Sequence, residues 1–530
     1  MATITSIAIL FTSISQSQHS YQPLVWVVSA MEAVERDEPS PATIWRGDRS
    51  EEANTIQLMA AKGEYEAFQI VIKAPQVNLE GVNVTVSELT NSEGGTIDPQ
   101  NINLYREHYI YVDRPSPQGW AANPTLGKGW YADALIPFVN PDTGKDIKRA
   151  EIDAVPFNLA AGNNQPIWVD ILVPRDAAPG EYQGRFTVES DRGKTTGNIL
   201  LTVWDFELPV KPSINSLFDV WQDRGENVAQ ELLSHKVMPG KRIKPGQQVE
   251  LINEWGLNSV RLPFWSGANN DVCRMRPAPR VEEIKRSSAP YYPGLLKYIY
   301  SADEIDTCPS LLEIENSLKQ WSKNIHQVDR VKHLVVTKPR PRLYDYIDIW
   351  VVQPQHYAET TSEVNEVIQR GDEVWFYTGH QARYSPQWQI DTPPINFRIP
   401  QGWIAQSLGL TGVLYWRADN WTDNPWQEVP VYTQGKNNER EFPGDGMLIY
   451  PGEEVGLTGV VPSMRLKWIR EGVEDYEYTE ILKKLGYQDW AMTIVSQVGK
   501  DWQNWTKNPD NLYDARRKLA EKIVQLTASN

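Results

Sequence analysis

The sequence predicts a multidomain β plus α/β protein: an N-terminal antiparallel β-sandwich, then a TIM-like (β/α)8 barrel with C-terminal helices. Three observations predict this fold class. The chain has 530 residues, which is too long for one ordinary domain. Its N-terminal part alternates polar and apolar residues with the period of a strand. Its C-terminal part alternates strand-like runs with helical ones, as a parallel sheet requires.

Residues 1–22 are interpreted as a signal peptide or a disordered leader. A short apolar run lies at Ile7–Phe11, but the first basic residue is Arg36, whereas a signal peptide normally starts with positive charge. We therefore expect an extracytoplasmic protein if this segment is a signal peptide, and a cytoplasmic one otherwise. No other segment approaches the ~20 apolar residues that span a bilayer, so no integral membrane association is expected.

Residues 23–208 are predicted to form the β-sandwich. Apolar or alternating runs such as Ala67–Ile72, Val82–Val86 and Ile167–Val173 are separated by Gly, Pro and Asn turns. The segment Pro179–Val188 has the pattern of a turn that leads into a hairpin strand. Few stretches here carry a helical period, and an antiparallel sandwich is the usual way to bury such strands.

Residues 213–462, after the linker Pro209–Pro212, are predicted to form the barrel. Amphipathic runs alternate with strand-like runs, which indicates βα units and a parallel sheet. The helical runs are Asn227–His235, Ser310–Ile325 and Glu359–Arg370, and the strand-like runs are Asn258–Leu262, Leu296–Tyr300, His333–Thr337, Ile347–Val352, Glu373–Thr378 and Gly412–Trp416.

Residues 463–530 are predicted to be helices packed on the barrel, at about Ser463–Leu485 and Pro509–Leu526. The first of these helices carries many acids between Glu471 and Glu477. Arg470 and Glu474 lie four residues apart and can pair on a helix. We interpret this charged stretch as a structural clamp, with a catalytic role as the alternative.

Composition narrows the partners. The formal net charge of −16 argues against nucleic acid or anionic membrane as the main partner. The 21 Trp and 23 Tyr, against 11 Phe, suit packing on sugar rings, and equally suit β-rich cores. Metalloprotease, NTPase, serine-hydrolase and paired CxxC motifs are absent from the sequence, and no metal or cofactor is expected. Cys273 and Cys308 allow one bridge or two free thiols.

The candidate catalytic residues are Asp303 and Glu304, which follow the apolar run Tyr298–Ala302. Acids just past the end of a parallel strand lie where a barrel carries its active site. Two neighbouring acids there suggest bond cleavage with one group orienting and the other donating a proton. The alternative is structural, because Asp303 or Asp306 could cap a helix that begins near Pro309.

Polar and aromatic residues recur in and after other predicted strands of this half. Such repetition around a ring is what a barrel active site requires, although each residue alone could be structural. Trp350 and Trp375 lie inside strands, where alternation could turn them outward to the helices. The candidate substrate-binding residues are Tyr377, Trp350, Trp375, Trp416, Asp419 and Asn420.

Several segments together resemble glycoside hydrolase family 123, whose catalytic domain is also known as DUF4091. The likeness extends from about Trp26 to Gly486. The segments that carry it are Ala60–Gln69, Asp133–Pro137 and Asn164–Val169 in the first half, and Tyr300–Glu304, Gly371–Tyr377, Gly444–Gly452 and Ser463–Tyr478 in the second. The last segment is long and specific, whereas the acid pair is short.

The resemblance implies a β-sandwich, a TIM barrel and β-N-acetylgalactosaminidase activity with retention through substrate assistance. It implies that Asp303 orients the 2-acetamido group of the sugar and that Glu304 is the general acid and base. We expect Tyr377 to hydrogen-bond the acetamido oxygen. The family pair is commonly followed by Pro, and here Ile305 stands in that position.

Substrate assistance explains why two catalytic acids can be neighbours. An ordinary retaining glycosidase places its nucleophile about 5 Å from the acid, and substrate-assisted enzymes are exceptions to that rule. Two alternatives stay open: a glycan-binding or scaffold protein without turnover, and a glycosidase that uses Glu304 with a different carboxylate. A glycan or glycoconjugate is the expected partner in each case.

Overall fold

The structure is a computed structural model and describes residues 21–37, 54–117, 124–141, 143–147, 150–225, 227–240, 243–379, 384–434 and 440–528. The expected leader at residues 1–22 lies almost entirely outside these residues. The chain divides into two compact units, the first formed by residues 1–111, 129–207 and 451–464 and the second by 112–128, 208–450 and 465–530. Within the described ranges, no helix has both the length and the apolar content that crossing a membrane requires.

The first unit is built from two β-sheets. Its strands are β1 (Leu24–Ser29), β2 (Thr55–Lys62), β3 (Tyr65–Lys73), β4 (Leu79–Val86), β5 (Leu89–Asn91), β6 (Thr96–Ile97), β7 (Ile102–Val112), β8 (Gly129–Pro137), β9 (Phe157–Leu159), β10 (Asn164–Leu172), β11 (Gly180–Ser190) and β12 (Gly193–Glu207). One sheet has the order β1-β3-β10-β7-β8, and the other β2-β12-β11-β4-β9, in which β5 also pairs with β11 and β6 pairs with β5.

The pairing is mainly antiparallel, as predicted. The pairs β1–β3, β3–β10, β7–β10 and β11–β12 are antiparallel, whereas β2 runs parallel to β12. Tyr182, Phe186 and Val188 of β11 alternate with more exposed residues and share one buried core with Ile70 and Ile167 of the other sheet. Period-two burial on both sheets therefore produces the sandwich core.

The second unit contains seven parallel strands. They are β13 (Asn215–Phe218), β14 (Ser259–Arg261), β15 (Leu296–Ala302), β16 (Val331–Val336), β17 (Ile349–Val352), β18 (Glu373–Tyr377) and β19 (Gly412–Tyr415). Their order is β13-β19-β18-β17-β16-β15-β14. The first two strands in sequence are thus the two ends of the order, which is the order of a ring left open between them.

An eighth strand does not form in the described part of this ring. Between β13 and β14, Pro239 makes a single parallel bridge with Phe218, and the Phe218 N–H donates to Met238 O over 2.9 Å. Because proline has no N–H, it cannot extend a ladder of hydrogen bonds. The result is a nearly closed, barrel-like parallel sheet.

Helices and short strands follow or separate the barrel strands. They are α1 (Val228–Ser234), α2 (Gln248–Asn253), α3 (Val281–Ser288), α4 (Leu311–Ile325), α5 (Pro354–Tyr357), α6 (Thr361–Gln369), α7 (Ile395–Ile399), α8 (Ala405–Leu408), β20 (Val431–Gln434), β21 (Arg440–Pro443), β22 (Ile449–Pro451), β23 (Val460–Pro462), α9 (Met464–Lys484), α10 (Gln488–Val498) and α11 (Pro509–Thr527). A π-helical segment, Pro400–Ile404, joins α7 to α8.

Two apolar layers fix the sheet. Outside it, Ile314, Leu318 and Trp321 are buried along one face of α4, at the spacing of an amphipathic helix. Inside it, side chains from six strands form one buried cluster, which includes Tyr298 and Trp375. This inner cluster is the floor on which the candidate site rests.

Helix α9 is tied to α7 by buried charges. Arg398 donates to Asp475 through Nε (2.7 Å) and Nη2 (2.8 Å), and it also pairs with Glu471. The predicted pair of Arg470 and Glu474 is confirmed, with 3.9 Å between Arg470 Nε and Glu474 Oε2. The charged stretch therefore holds helices together, as the clamp interpretation predicts.

Candidate active site

Asp303 and Glu304 leave the carboxyl end of β15 through a β-bulge. Tyr300 pairs with Leu334, but Ala302 pairs with the next residue, Val335. The residue between them, Ser301, is therefore extra in its strand. A bulge turns the chain and redirects the side chains that follow it.

The extra residue is anchored outside the barrel. Ser301 Oγ lies 2.6 Å from Nε2 of the buried His333, whose Nδ1 lies 2.8 Å from the Tyr346 carbonyl oxygen. Burial lowers the pKa of His333 to about 4, so the ring is neutral near pH 7. The carbonyl can only accept, so Nδ1 carries the proton and Nε2 accepts from the Ser301 hydroxyl. This bond fixes the strand two residues before Asp303.

Glu304 is held by two amide side chains, one on each carboxylate oxygen. Gln353 Nε2 donates to Oε1 over 2.7 Å, and Asn270 Nδ2 donates to Oε2 over 3.0 Å. Burial, followed by the charge of Asp303, raises the pKa of Glu304 to about 8, against the opposing effect of the Gln353 hydrogen bond. Glu304 is therefore mostly protonated near neutral pH and able to give up a proton.

Asp303 carries an acceptor that the protein leaves open. Its N–H donates to Ala268 O over 3.0 Å, but its buried Oδ1 has no hydrogen-bond partner among the described residues. Burial raises the pKa of Asp303 to about 6, while the Tyr300 hydroxyl and the charge of Arg261 lower it. An unpaired buried acceptor is costly, which is typical of an atom whose partner is a ligand.

Both acids line one cavity of about 520 Å³, a size typical of small-molecule sites. Its walls are rich in aromatic rings. The aromatic lining residues include Trp221, Trp265, Tyr300, Tyr377, Tyr415 and Trp416. Such walls with a few polar groups suit a sugar, whose faces are apolar and whose edge carries hydroxyls.

Two further acids line the same cavity. Asp219 pairs with Arg261, with 2.9 Å between Oδ2 and Nη1, and burial raises the Asp219 pKa despite that pairing. Asp445 accepts from the Tyr415 hydroxyl over 3.2 Å. Four carboxyl groups therefore line the cavity, and among them only Asp303 and Glu304 are neighbours in sequence.

A disulfide brings Asn270 to Glu304. Cys273 and Cys308 are bridged, with 5.4 Å between their Cα atoms. The bridge ties the loop that carries Asn270 to the chain just beyond the acid pair. Of the two states that the sequence leaves open, the structure has the bridge.

The structure places two of the predicted substrate-binding residues in the cavity, Tyr377 and Trp416. Burial, then the charges of Glu304 and Asp303, raise the pKa of Tyr377 far above its ordinary value. Its hydroxyl is therefore a neutral donor that lies close to both acids. Trp416 follows the end of β19 and packs on Gly446, where a Cβ would lie 2.4 Å from the indole.

The other two tryptophans lie outside the cavity. Trp350 is fully buried, packs edge-on against Tyr344 and donates from Nε1 to Asp372 over 3.0 Å. Trp375 faces inward in the floor cluster, 5.6 Å from the Tyr298 ring between centroids. It lies two residues before Tyr377 on β18, hence one layer deeper. The geometry gives both rings packing contacts within the protein and does not place them among the residues that line the cavity.

Asp419 and Asn420 are likewise not among the cavity residues. Asp419 is fully buried and accepts from Arg224 Nε (2.9 Å) and Arg417 Nε (3.0 Å). Asn420 bonds to Arg417 and to the Asp445 carbonyl oxygen. Their polar groups are bonded within the protein, so the geometry does not bring these two candidate substrate-binding residues to the cavity.

Sequence reasoning missed several cavity residues. Asp219 and Arg261 follow or end β13 and β14, so the rule that selects strand ends could have found them. Gln353 is the residue after β17 and is open to the same rule. Asn270 has no such signal, because it reaches Glu304 from a loop that the disulfide positions.

A barrel-like parallel sheet with paired acids in a cavity at its carboxyl end defines a candidate hydrolase site. The family model of the glycoside hydrolase 123 N-terminal domain matches residues 43–190, and that of the glycoside hydrolase 123 catalytic domain matches residues 246–482. The chain therefore belongs to glycoside hydrolase family 123, a family of glycosidases. No curated protein sequence matches it.

A solved structure of a similar protein supports the fold. A family 123 glycoside hydrolase from Clostridium perfringens, studied for glycolipid glycan hydrolysis, matches with a TM-score of 0.64 and 14% identity, over 95% of this chain and 98% of that one. A β-glucuronidase from Parabacteroides merdae matches with a TM-score of 0.28 and 11% identity, over 73% of this chain and 53% of that one. The first likeness extends to the fold alone, and the second is too weak to argue from.

Proposed function

We propose that this protein is a retaining β-N-acetylgalactosaminidase that uses the 2-acetamido group of its substrate as nucleophile. The observation that carries the proposal is the open, buried Oδ1 of Asp303 beside the raised pKa of Glu304. One acid offers an acceptor to an N–H, and the other offers a proton to a leaving oxygen. The choice of N-acetylgalactosamine rests on family membership.

In the first step the acetamido oxygen attacks the anomeric carbon and the bond to the leaving oxygen breaks. Glu304 gives its proton to that oxygen and becomes a carboxylate. Asp303 accepts a hydrogen bond from the acetamido N–H and stabilises the positive oxazolinium ion that forms. Tyr377 donates to the acetamido oxygen and orients it before the attack.

In the second step water attacks the anomeric carbon and the bond to the acetamido oxygen breaks. The Glu304 carboxylate takes a proton from that water and returns to its acid form. Two inversions give net retention of configuration. No carboxylate of the enzyme needs to approach the anomeric carbon, which is why neighbouring acids suffice.

A second candidate function follows from Asp219 and Asp445, which line the same cavity. Either could serve as a nucleophile with Glu304 as acid, which would remove the need for an acetamido group. The pairing of Asp219 with Arg261 and of Asp445 with Tyr415 favours structural roles for both. A third candidate function is not enzymatic: the protein would bind glycans without cleaving them.

A panel of 4-nitrophenyl β-glycosides separates these functions. We expect release of nitrophenol from the N-acetylgalactosaminide and none from the plain galactoside, because only the first carries the nucleophile. Equal rates on both would favour an enzyme nucleophile and contradict substrate assistance. Glycan binding without hydrolysis of any member of the panel would contradict an enzymatic role.

A further inference from the structure

Trp221 is an aromatic ring that the protein leaves open to solvent at the mouth of the cavity. It follows β13, lines the same cavity as the acid pair, and is 61% exposed. Among the described residues it is the most exposed of the large apolar side chains. Single exposed apolar residues are common on proteins, so exposure alone assigns no role. The role of Trp221 is indicated instead by the contacts that hold its backbone and its ring in place.

The backbone of Trp221 is fixed by a buried carboxylate. Asp419 Oδ1 accepts from the Trp221 N–H (3.1 Å), and Oδ2 accepts from the Gln222 N–H (3.2 Å). Arg224 and Arg417 also donate to Asp419, so its charge is fully compensated. These bonds lower the Asp419 pKa despite burial. The loop after β13 is therefore held by a charged group that makes no contact with the cavity.

The ring of Trp221 is fixed as well. The Arg417 guanidinium carbon lies 4.8 Å from the ring centroid, and the Trp416 ring packs edge-on at 5.5 Å. Trp416 cannot retreat, because its indole lies against the backbone of Gly446. Arg417 and Trp416 thus hold the ring in place, while most of the residue stays exposed to solvent. A ring that is already held in place and partly exposed to solvent loses little conformational entropy when a flat apolar surface stacks on it.

We propose that Trp221 is a stacking platform for the sugar on the leaving-group side of the bond that is cleaved. This rests on the proposed function. The inner end of the cavity is closed by the buried floor cluster, so the cleaved residue enters first and its leaving group points to the mouth. The ligand class is a hexopyranose with an exposed C–H face, within a glycan or glycoconjugate, and not a small non-sugar alcohol.

The test compares two substrates that share the cleaved residue. One is an N-acetyl-β-galactosaminyl-galactose disaccharide, and the other is the matching glycosyl fluoride, whose leaving group is too small to reach Trp221. We expect Trp221→Ala to lower kcat/KM for the disaccharide by about tenfold, which corresponds to ~1.4 kcal/mol, and to leave the fluoride within about twofold. Trp221→Phe keeps a flat ring and should retain most of the disaccharide activity.

Trp490→Ala is the matched control, because Trp490 is an exposed tryptophan on α10; it should change neither substrate. Equal disaccharide activity in wild type and Trp221→Ala would overturn the platform, and so would equal losses on both substrates. Calorimetry then measures binding of the disaccharide to Glu304→Gln, with and without Trp221→Ala, and so tests the stacking role even without turnover. Equal affinities would overturn that role, and weaker binding by the Trp221→Ala protein would support it. Failure of wild type to cleave either substrate overturns the proposed function separately.

Discussion

The backbone of Glu304 is left-handed, with φ of 46° and ψ of 39°, a conformation that costs a residue with a side chain about 1–3 kcal/mol. It lies between the bulge in β15 and the short 3-10 helix Ile305–Thr307. Ile305, the residue directly after the acid pair, is fully buried and begins that helix. The strained turn lets two consecutive side chains reach one cavity.

The pKa values of the two acids predict a bell-shaped pH profile. Asp303, with a pKa raised to about 6, must lose its proton, so activity rises as pH increases through that value. Glu304, with a pKa raised to about 8, must keep its proton, so activity falls as pH increases through that value. We expect kcat/KM on the aryl N-acetylgalactosaminide to peak near pH 7, with both limbs belonging to the coupled pair. A profile flat from pH 5 to 9 would contradict the assigned roles.

Replacing each acid by its amide separates their roles. Glu304→Gln cannot protonate a leaving group, so we expect losses of about 10²–10⁴-fold on natural glycosides and a smaller loss on 2,4-dinitrophenyl glycosides, which leave without a proton. Kinetics on both substrates measure the difference.

Asp303→Asn is the matched change at the neighbouring residue. It removes the charge that stabilises the oxazolinium ion, so we expect both substrates to lose activity together. Wild-type rates in this variant would show that the assignment of Asp303 is wrong.

At the scale of elements, the sequence predicted the strands β14 to β19 to within two residues at each end. The buried strands are short apolar runs between amphipathic helices, and this alternation can be recognised in the amino-acid sequence alone. Helix α7 and the π-helical segment after it were missed for a physical reason. Every residue from Ile395 to Ile404 is buried, so no polar face creates a period, and Pro400 and Gly402 resemble breakers.

The sequence predicted where along the chain the candidate site lies, but only partly which of the side chains there point into the cavity. Strand ends correctly located Asp303, Glu304, Tyr377 and Trp416 at the cavity. Asp419 also follows a strand, but a buried network that includes Arg224 turns it away. Pairing between distant residues decides such cases, and one sequence does not display it.

The ion pairs of Arg398 predict a large effect on stability. Arg398→Met removes the cation that bonds to both Glu471 and Asp475 in the interior, and the nearest remaining cation, Arg516, lies 3.4 Å from Asp475, so we expect the free energy of unfolding to fall by about 3–5 kcal/mol. Denaturant unfolding measures this change. The matched control is Arg517→Met, which breaks the exposed pair with Asp514 and should change stability by about 0–1 kcal/mol. Equal small effects would mean that the clamp on α9 adds nothing.

At the scale of the whole molecule, the two family models match the sandwich side and the barrel side of the chain separately. The compact units are not continuous in sequence, since residues 451–464 join the first and residues 112–128 the second. A linear pass along the chain cannot predict such exchanges. All the residues that line the cavity, by contrast, belong to the second unit.

The most direct test replaces the hydrogens of the substrate's acetamido methyl group by fluorine. The series comprises 4-nitrophenyl glycosides with N-acetyl, N-fluoroacetyl, N-difluoroacetyl and N-trifluoroacetyl groups. If the acetamido oxygen is the nucleophile, kcat/KM falls with each fluorine, because fluorine withdraws electron density from that oxygen. If kcat/KM stays constant across the series, the acetamido group takes no part in bond cleavage, and the proposed role of the Asp303 and Glu304 pair is contradicted.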